Sequence, residues 1–156
     1  GVVASSPVRY VLMHWRGHSD RMDALANYSD VTAEVTLELR GQIDRVVAQG
    51  VEPERIIVDP GLGFAKDVEH NWEIVAHLDR IVDMGHPVLV GASRKRFLGA
   101  LLDRPHEPAD RDGVSAALSV IAAEKGVSMI RVHEPLVHLE ALKVWQRSLP
   151  EGGVDE

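Results

Sequence analysis

Asp59 closes a short apolar run, Ile56-Ile57-Val58, and opens the octapeptide DPGLGFAK (59–66). A carboxylate at the end of a covered strand can accept two hydrogen bonds from the N–C–N edge of a heterocycle. Gly61 and Gly63 would let the backbone approach a flat ligand, and Phe64 would give that ligand an apolar wall. An aspartate ahead of Pro-Gly is also an ordinary turn residue, so on the motif alone both readings stand. Further along, Ser93-Arg94-Lys95-Arg96 lies where an apolar run gives way to a helical pattern. A helix start offers free N–H groups and positive potential, and three cations there call for a carboxylate or phosphate. Arg131 and His133 share one side of an extended segment, because strand side chains alternate. A guanidinium beside an imidazole suits a phosphate-type leaving group, although a solvated surface pair would look the same. His14 and His18 are four apart, but their segment reads as a strand end entering a loop, which weakens a helical metal pair. No metal ligand is assigned to the chain.

Four β-rich runs would position these groups, at residues 8–14, 55–59, 87–92 and 129–133. Each is short and nearly continuously apolar, as in strands covered on both faces. Helical patterns follow them. Val31, Val35, Leu39, Ile43, Val46 and Val47 form one stripe, with Asp30 to cap it and Gly50 and Pro53 to end it. Trp72, Val75, Leu78 and Val82 form a second stripe, closed by Gly85. The spacing predicts a short helix over 97–102, a polar excursion over 104–112, an alanine-rich helix to Lys125, and a last helix marked by Leu136, Leu139, Leu142 and Trp145. Residues 1–149 read as one β/α domain and 150–156 as a disordered tail.

This alternation implies a parallel sheet with right-handed crossovers. The chemistry-bearing residues gather at the carboxyl end of all four strands. An open sheet concentrates its site at one switch point, whereas a (β/α) barrel draws on every strand end. The expected fold class is therefore α/β: parallel units from the C-terminal half of a TIM (β/α)8 barrel, with about four strands and four to five helices.

The net charge of −7 argues against a nucleic-acid face, which selects for clustered Lys and Arg. With no cysteine, disulfides and thiolate metal sites are excluded. No apolar run approaches the roughly 20 residues of a membrane helix, and the chain does not open on a signal-like segment. A cytoplasmic location with no membrane partner is the expectation.

YVLMHWRG, IIVDPGLGFAKDVEHNWEIV, PVLVGASRKRFLGALL and IRVHEP, in this order and spacing, resemble dihydropteroate synthase of actinobacterial type, from about residue 8 to 145. The resemblance implies a TIM-barrel transferase of folate biosynthesis. That family condenses 4-aminobenzoate with 7,8-dihydropterin-6-ylmethyl diphosphate, giving 7,8-dihydropteroate and pyrophosphate with Mg²⁺ assisting. Sulfonamides compete for the aminobenzoate pocket. By matching positions the resemblance implies pterin contacts from Met13, Asp59 and Lys95. Aminobenzoate contacts would come from Gly63, Phe64, Ser93, Arg94, Lys95 and Arg96, and diphosphate contacts from Arg131 and His133. Lys95, Arg131 and His133 would carry the catalysis. A homodimer through the later helices is also implied.

The family's first four strands, with their Mg²⁺ and pterin residues, have no counterpart here, so Mg²⁺ ligands are expected mainly from outside this chain and from the substrate diphosphate. Trp15, Val114 and Glu134 depart from the family's usual Met, Thr and Asp. Four parallel strands cannot close a barrel, and two edges stay unpaired. The chain alone is therefore expected to meet a second copy or to be a fragment, with little or no turnover. Two rivals remain: a pterin-dependent methyltransferase-like domain, which has no need of the SRK and RVH anion site, and a non-enzymatic half-barrel oligomerisation module.

Overall fold

A computed structural model describes residues 5–17 and 25–150. His18 and the expected tail beyond Pro150 lie outside the described residues.

Four strands form: β1 (Tyr10–Met13), β2 (Ile56–Asp59), β3 (Leu89–Val90) and β4 (Met129–Ile130). β1 pairs with β2 in parallel, from Tyr10 against Ile56 to Met13 against Asp59. β3 pairs with β4 in parallel, Leu89 against Met129 and Val90 against Ile130. One parallel bridge, Val58 to Val88, joins the two ladders, and the Val58 N–H donates to the Pro87 carbonyl at 2.9 Å. The strands thus lie side by side in chain order. A doubly wound sheet reverses its order at a switch point. None is found among the described residues, and the arrangement is that of consecutive units of a barrel wall.

The ladders are shorter than the apolar runs. Pro87 has no N–H to donate. Gly91 and Ala92 already leave the ladder, although the Arg131 N–H still reaches the Val90 carbonyl at 2.9 Å. β1 likewise starts at Tyr10 rather than at residue 8.

Among the described residues the chain forms six α-helices, α1 (Val31–Ala48), α2 (Val68–Ala76), α3 (Leu78–Val82), α4 (Arg96–Gly99), α5 (Asp112–Glu124) and α6 (Pro135–Ser148), the last packed on α5. Asp30 caps α1, its carboxylate accepting from the Ala33 N–H at 2.9 Å. Val31, Val35, Leu39 and Ile43 form the buried stripe of α1, each stabilising the fold by roughly 1.5–3 kcal/mol relative to exposure. The single helix expected over 72–82 is two helices. His77, at φ −120° and ψ 31°, leaves the helical region and divides α2 from α3. That break accounts for six helices where four to five were expected. Asp67 starts α2 with a reciprocal cap: its carboxylate accepts from the His70 N–H at 2.8 Å. α4 is a single turn rather than a helix over 97–102, and the polar excursion contains a 3₁₀ turn at Pro108–Arg111. The core gathers Leu39, Ile56, Leu62, Ile74, Val88 and Leu98 between the sheet and the helices.

Candidate active site

The register places the chemistry on one side. Met13 is the lateral partner of Asp59, so their side chains project from the same face. Continuing the registers of β2–β3 and β3–β4 puts Asp59, Gly91, Arg131 and His133 on that face too. The Asp59 carboxylate and the Arg131 guanidinium confirm it, at 3.7 Å.

Asp59 is almost fully buried, 1% exposed. Its Oδ1 accepts from the Gly61 N–H at 2.8 Å. Its Oδ2 is buried without a hydrogen-bond partner, the Arg131 contact being too long for one. Burial pushes the Asp59 carboxyl above its ordinary value, against the Gly61 hydrogen bond and the charges of Arg131, Lys95 and Lys66. An unsatisfied buried carboxylate oxygen is costly in a native fold. Here it faces the strand-end cations, as a group awaiting an external donor would.

The loop after Asp59 is shaped from inside the protein. Gly61 has φ +67°, and a Cβ there would sit 1.9 Å from the His14 carbonyl oxygen. Gly63 has φ +76°, and a Cβ there would meet the stem of Lys95 at 2.7 Å. Both glycines answer to their own chain, which suffices to require them whether or not a flat ligand approaches. The Gly63 N–H is held by Asn71 Oδ1 of α2 at 2.6 Å.

Lys95 lies across this loop. Its ammonium donates to the Leu62 carbonyl and stands 4.2 Å from the centre of the Phe64 ring. Burial pushes it down to about 8, with Asp59 opposing and Arg131 reinforcing. Phe64, Gly91, Ser93, Lys95, Arg131 and His133 line one cavity of about 370 Å³. The Ser93 hydroxyl accepts from the His133 backbone N–H at 3.3 Å and lies 3.1 Å from Nδ1 of that ring. Ser93 therefore orients His133 as well as lining the cavity. Arg131 lies over Gly91, where a Cβ would stand 2.6 Å from the guanidinium.

The three cations of SRKR part company. Arg94, at φ +61°, turns to α5, where Asp112 holds it in a two-pronged pair at 2.7 and 2.8 Å. Its backbone N–H donates to Ser115 Oγ at 3.1 Å. Arg96 is exposed at the start of α4, a helix too short to concentrate a dipole. Of the three, Lys95 alone lines the strand-end cavity. Gly63, Lys66, Arg94, Lys95, Arg96 and Phe97 also line an adjoining groove of about 430 Å³.

Three residues given no role from the sequence turn out to support the loop. Lys66 is 9% exposed and contacts the Gly61 and Phe64 carbonyls and His14. Glu38 joins His14 to Arg16. Asn71 holds Gly63. The one legible signal was a lysine closing a glycine-rich motif.

The profile of the family described as pterin binding enzyme matches residues 1–133. The chain belongs to the pterin-binding enzyme family. Among pterin-binding enzymes it is 44% identical, over 158 aligned residues, to the dihydropteroate synthase of Mycobacterium leprae, covering 96% of this chain and 56% of that one. The dihydropteroate synthase of Thermus thermophilus in complex with 4-aminobenzoate superposes with a TM-score of 0.88 at 43% identity, covering 94% of this chain and 59% of that one. The Xanthomonas albilineans enzyme in complex with 7,8-dihydropteroate gives 0.85 at 37%, covering 95% and 54%. This pterin-binding chain spans about half the length of the relatives it matches, and the matching structures carry the TIM-barrel assignment.

Proposed function

We propose that this chain supplies the C-terminal half of a dihydropteroate synthase active site, with residues 1–149 acting as one β/α unit. The observation that carries the proposal is the buried, unpartnered Oδ2 of Asp59 beside Arg131 and Lys95 at one mouth. A pterin offers that oxygen N–H donors, and its diphosphate offers the cations an anion. Met13 and Lys95 would contact the ring. Gly63, Phe64, Ser93 and Lys95 would border the aminobenzoate, with Arg94 and Arg96 farther out along the adjoining groove. Sulfonamides, which share the aminobenzoate outline, would compete there. The Arg131 and His133 side would reject a methyltransferase-type folate as the sole ligand, since two anion-binding groups would then lack a partner.

The chemistry follows from charge. The C–O bond between the pterin methylene and the diphosphate breaks, and both electrons leave with the diphosphate. Arg131 and His133 neutralise that developing charge. The methylene cation is delocalised into the electron-rich dihydropterin. The aminobenzoate nitrogen then forms the C–N bond and loses its proton to solvent at the open mouth. Lys95, over the Phe64 ring, borders the path between the two substrates.

Mg²⁺, which the fold family implies, does not fit this chain's own side chains. Among the described residues no group of three or more His, Asp or Glu could hold a metal, and the mouth is lined by Lys95, Arg131 and His133. Its ligands would be the substrate diphosphate and residues outside this chain.

Self-association through the later helices is supported by Leu136, Leu139 and Val144, which stand exposed on α6. A cytoplasmic location accords with the absence, among the described residues, of a helix long and apolar enough to cross a membrane.

Calorimetric titration of the 156-residue chain tests the reading. Pyrophosphate and 6-hydroxymethylpterin should each bind, Asp59→Asn should remove the pterin alone, and Arg131→Ala should weaken the pyrophosphate alone. Turnover of the isolated chain should be slight. Failure of both ligands to bind would overturn the assignment.

A further inference from the structure

Beneath the mouth lies a buried polar chain. Lys66 Nζ donates to the Gly61 carbonyl at 3.1 Å and the Phe64 carbonyl at 3.0 Å, and lies 3.0 Å from His14 Nδ1. His14, fully buried, places Nε2 2.9 Å from Glu38 Oε2. Glu38 and Glu34 of α1 both meet Arg16.

Counting protons decides the states this chain can hold. Burial and the hydrogen bonds from Arg16 and His14 compete at Glu38, and the hydrogen bonds keep it below its ordinary value, hence ionised. It can only accept, so His14 Nε2 must carry a proton. Two amine hydrogens of Lys66 go to the two carbonyls. The contact between Nζ and Nδ1 then needs one further proton, and either nitrogen can own it: a lysine ammonium donating to neutral His14, or an imidazolium donating to the lysine amine. Both arrangements satisfy every partner. Without that proton two lone pairs face each other.

We propose that Lys66 and His14 are positioning residues that share a single proton, and that this cationic pair latches the 61–64 loop so that Asp59 and Phe64 are held in the ligand-binding arrangement. The latch reaches the mouth through the two carbonyls, because the Gly61 N–H holds Asp59 Oδ1 and the Gly61 carbonyl accepts from the Phe64 N–H at 3.1 Å. The functional consequence rests on the pterin reading above; the latch does not.

The charges facing the pair come from every element around it: Asp59 from β2, Glu38 from α1, Arg16 from the loop after β1, and Lys95 from the loop after β3. Burial drives both members toward neutrality, Lys66 to about 7 with Asp59 opposing, and His14 to about 4 with Lys66 reinforcing. The shared proton therefore leaves the pair near neutral pH.

Nitrogen-15 spectroscopy of the full chain, from roughly pH 5.5 to roughly pH 9 and so spanning about 7, tests this. His14 should remain protonated at Nε2 throughout. Its Nδ1 signal and the exchange protection of the Gly63 and Phe64 amides should change together, with one midpoint near 7. Lys66→Met should abolish the midpoint and lower that protection roughly tenfold or more, while α5 amides stay as they were. The wild-type titration stands even if that variant does not fold. An Nδ1–H tautomer of His14, or a loop that ignores the titration, would overturn the latch. Affinity for 6-hydroxymethylpterin should fall with the same midpoint. A responsive loop whose pterin affinity does not follow the midpoint would remove the positioning role. No pterin binding at any pH, with the spectroscopic changes intact, would count against the pterin reading instead.

Discussion

The two ends of the site are built differently. On the β1–β2 side, Asp59, Lys66, His14 and Asn71 are all less than 10% exposed, and apart from the free Oδ2 of Asp59 their polar atoms bond the protein's own backbone, one another and Glu38. On the β3–β4 side, the Arg131 side chain is 59% exposed, and it meets Asp59 only at 3.7 Å. Apart from that one oxygen, the first side spends its polar groups on shape. The second leaves its charge available to something outside the chain. Rigid geometry for a ring and open cations for an anion are what the two parts of a pterin diphosphate require.

Gly61→Ala should break the first side outright. Backbone strain at φ +67° and collision with the His14 carbonyl predict a loss of about 3 kcal/mol or more, read by urea denaturation. A loss below about 1 kcal/mol would show that the loop is not fixed from beneath.

Arg131→Ala should leave stability within about 0.5 kcal/mol but weaken pyrophosphate binding roughly ten- to hundredfold, the worth of a hydrogen bond to a charged group. An equal effect on stability would erase the contrast between the two sides.

The carboxylates sharpen it by sign. Burial raises Asp59, so the folded state takes up its proton more readily than the unfolded chain does. That stability is present at low pH and is lost as pH climbs from the ordinary 3.8 through the raised folded value. Asp112 is lowered by its hydrogen bonds from Arg94, so its contribution is present above 3.8 and is lost as pH falls through the depressed value. Denaturation of Asp59→Asn and Asp112→Asn across the acid range should remove slopes of opposite sign.

The smallest effect is expected at Arg94. Arg94→Gly relieves the left-handed backbone but gives up the Asp112 pair, an ion pair that solvent screens. The two should nearly cancel in a thermal melt, and pyrophosphate affinity should be unchanged.

Much of this was legible in the sequence. Short apolar runs capped by Asp59, Lys95, Arg131 and His133 gave the parallel order and the shared mouth, because strand periodicity and strand-end polarity are local signals. The lengths of β3 and β4 were not legible, since a ladder ends where its neighbour does. The break at His77 was hidden by a stripe that continues through it. The pairing of Arg94 with Asp112 was not legible, because the partner lies 18 residues away across a 3₁₀ turn. Lys66 and Glu38 were silent for a related reason: their bonds go to carbonyls and to a distant histidine, which no spacing rule encodes.

Gly91 has a consequence of its own. The Arg131 guanidinium rests where that residue lacks a side chain. One methyl group added on a neighbouring strand would lift the cation off its seat and away from Asp59, with every formal charge left in place. The field at the mouth is thus adjustable by steric means alone, from a position that carries no polar atom beyond its backbone.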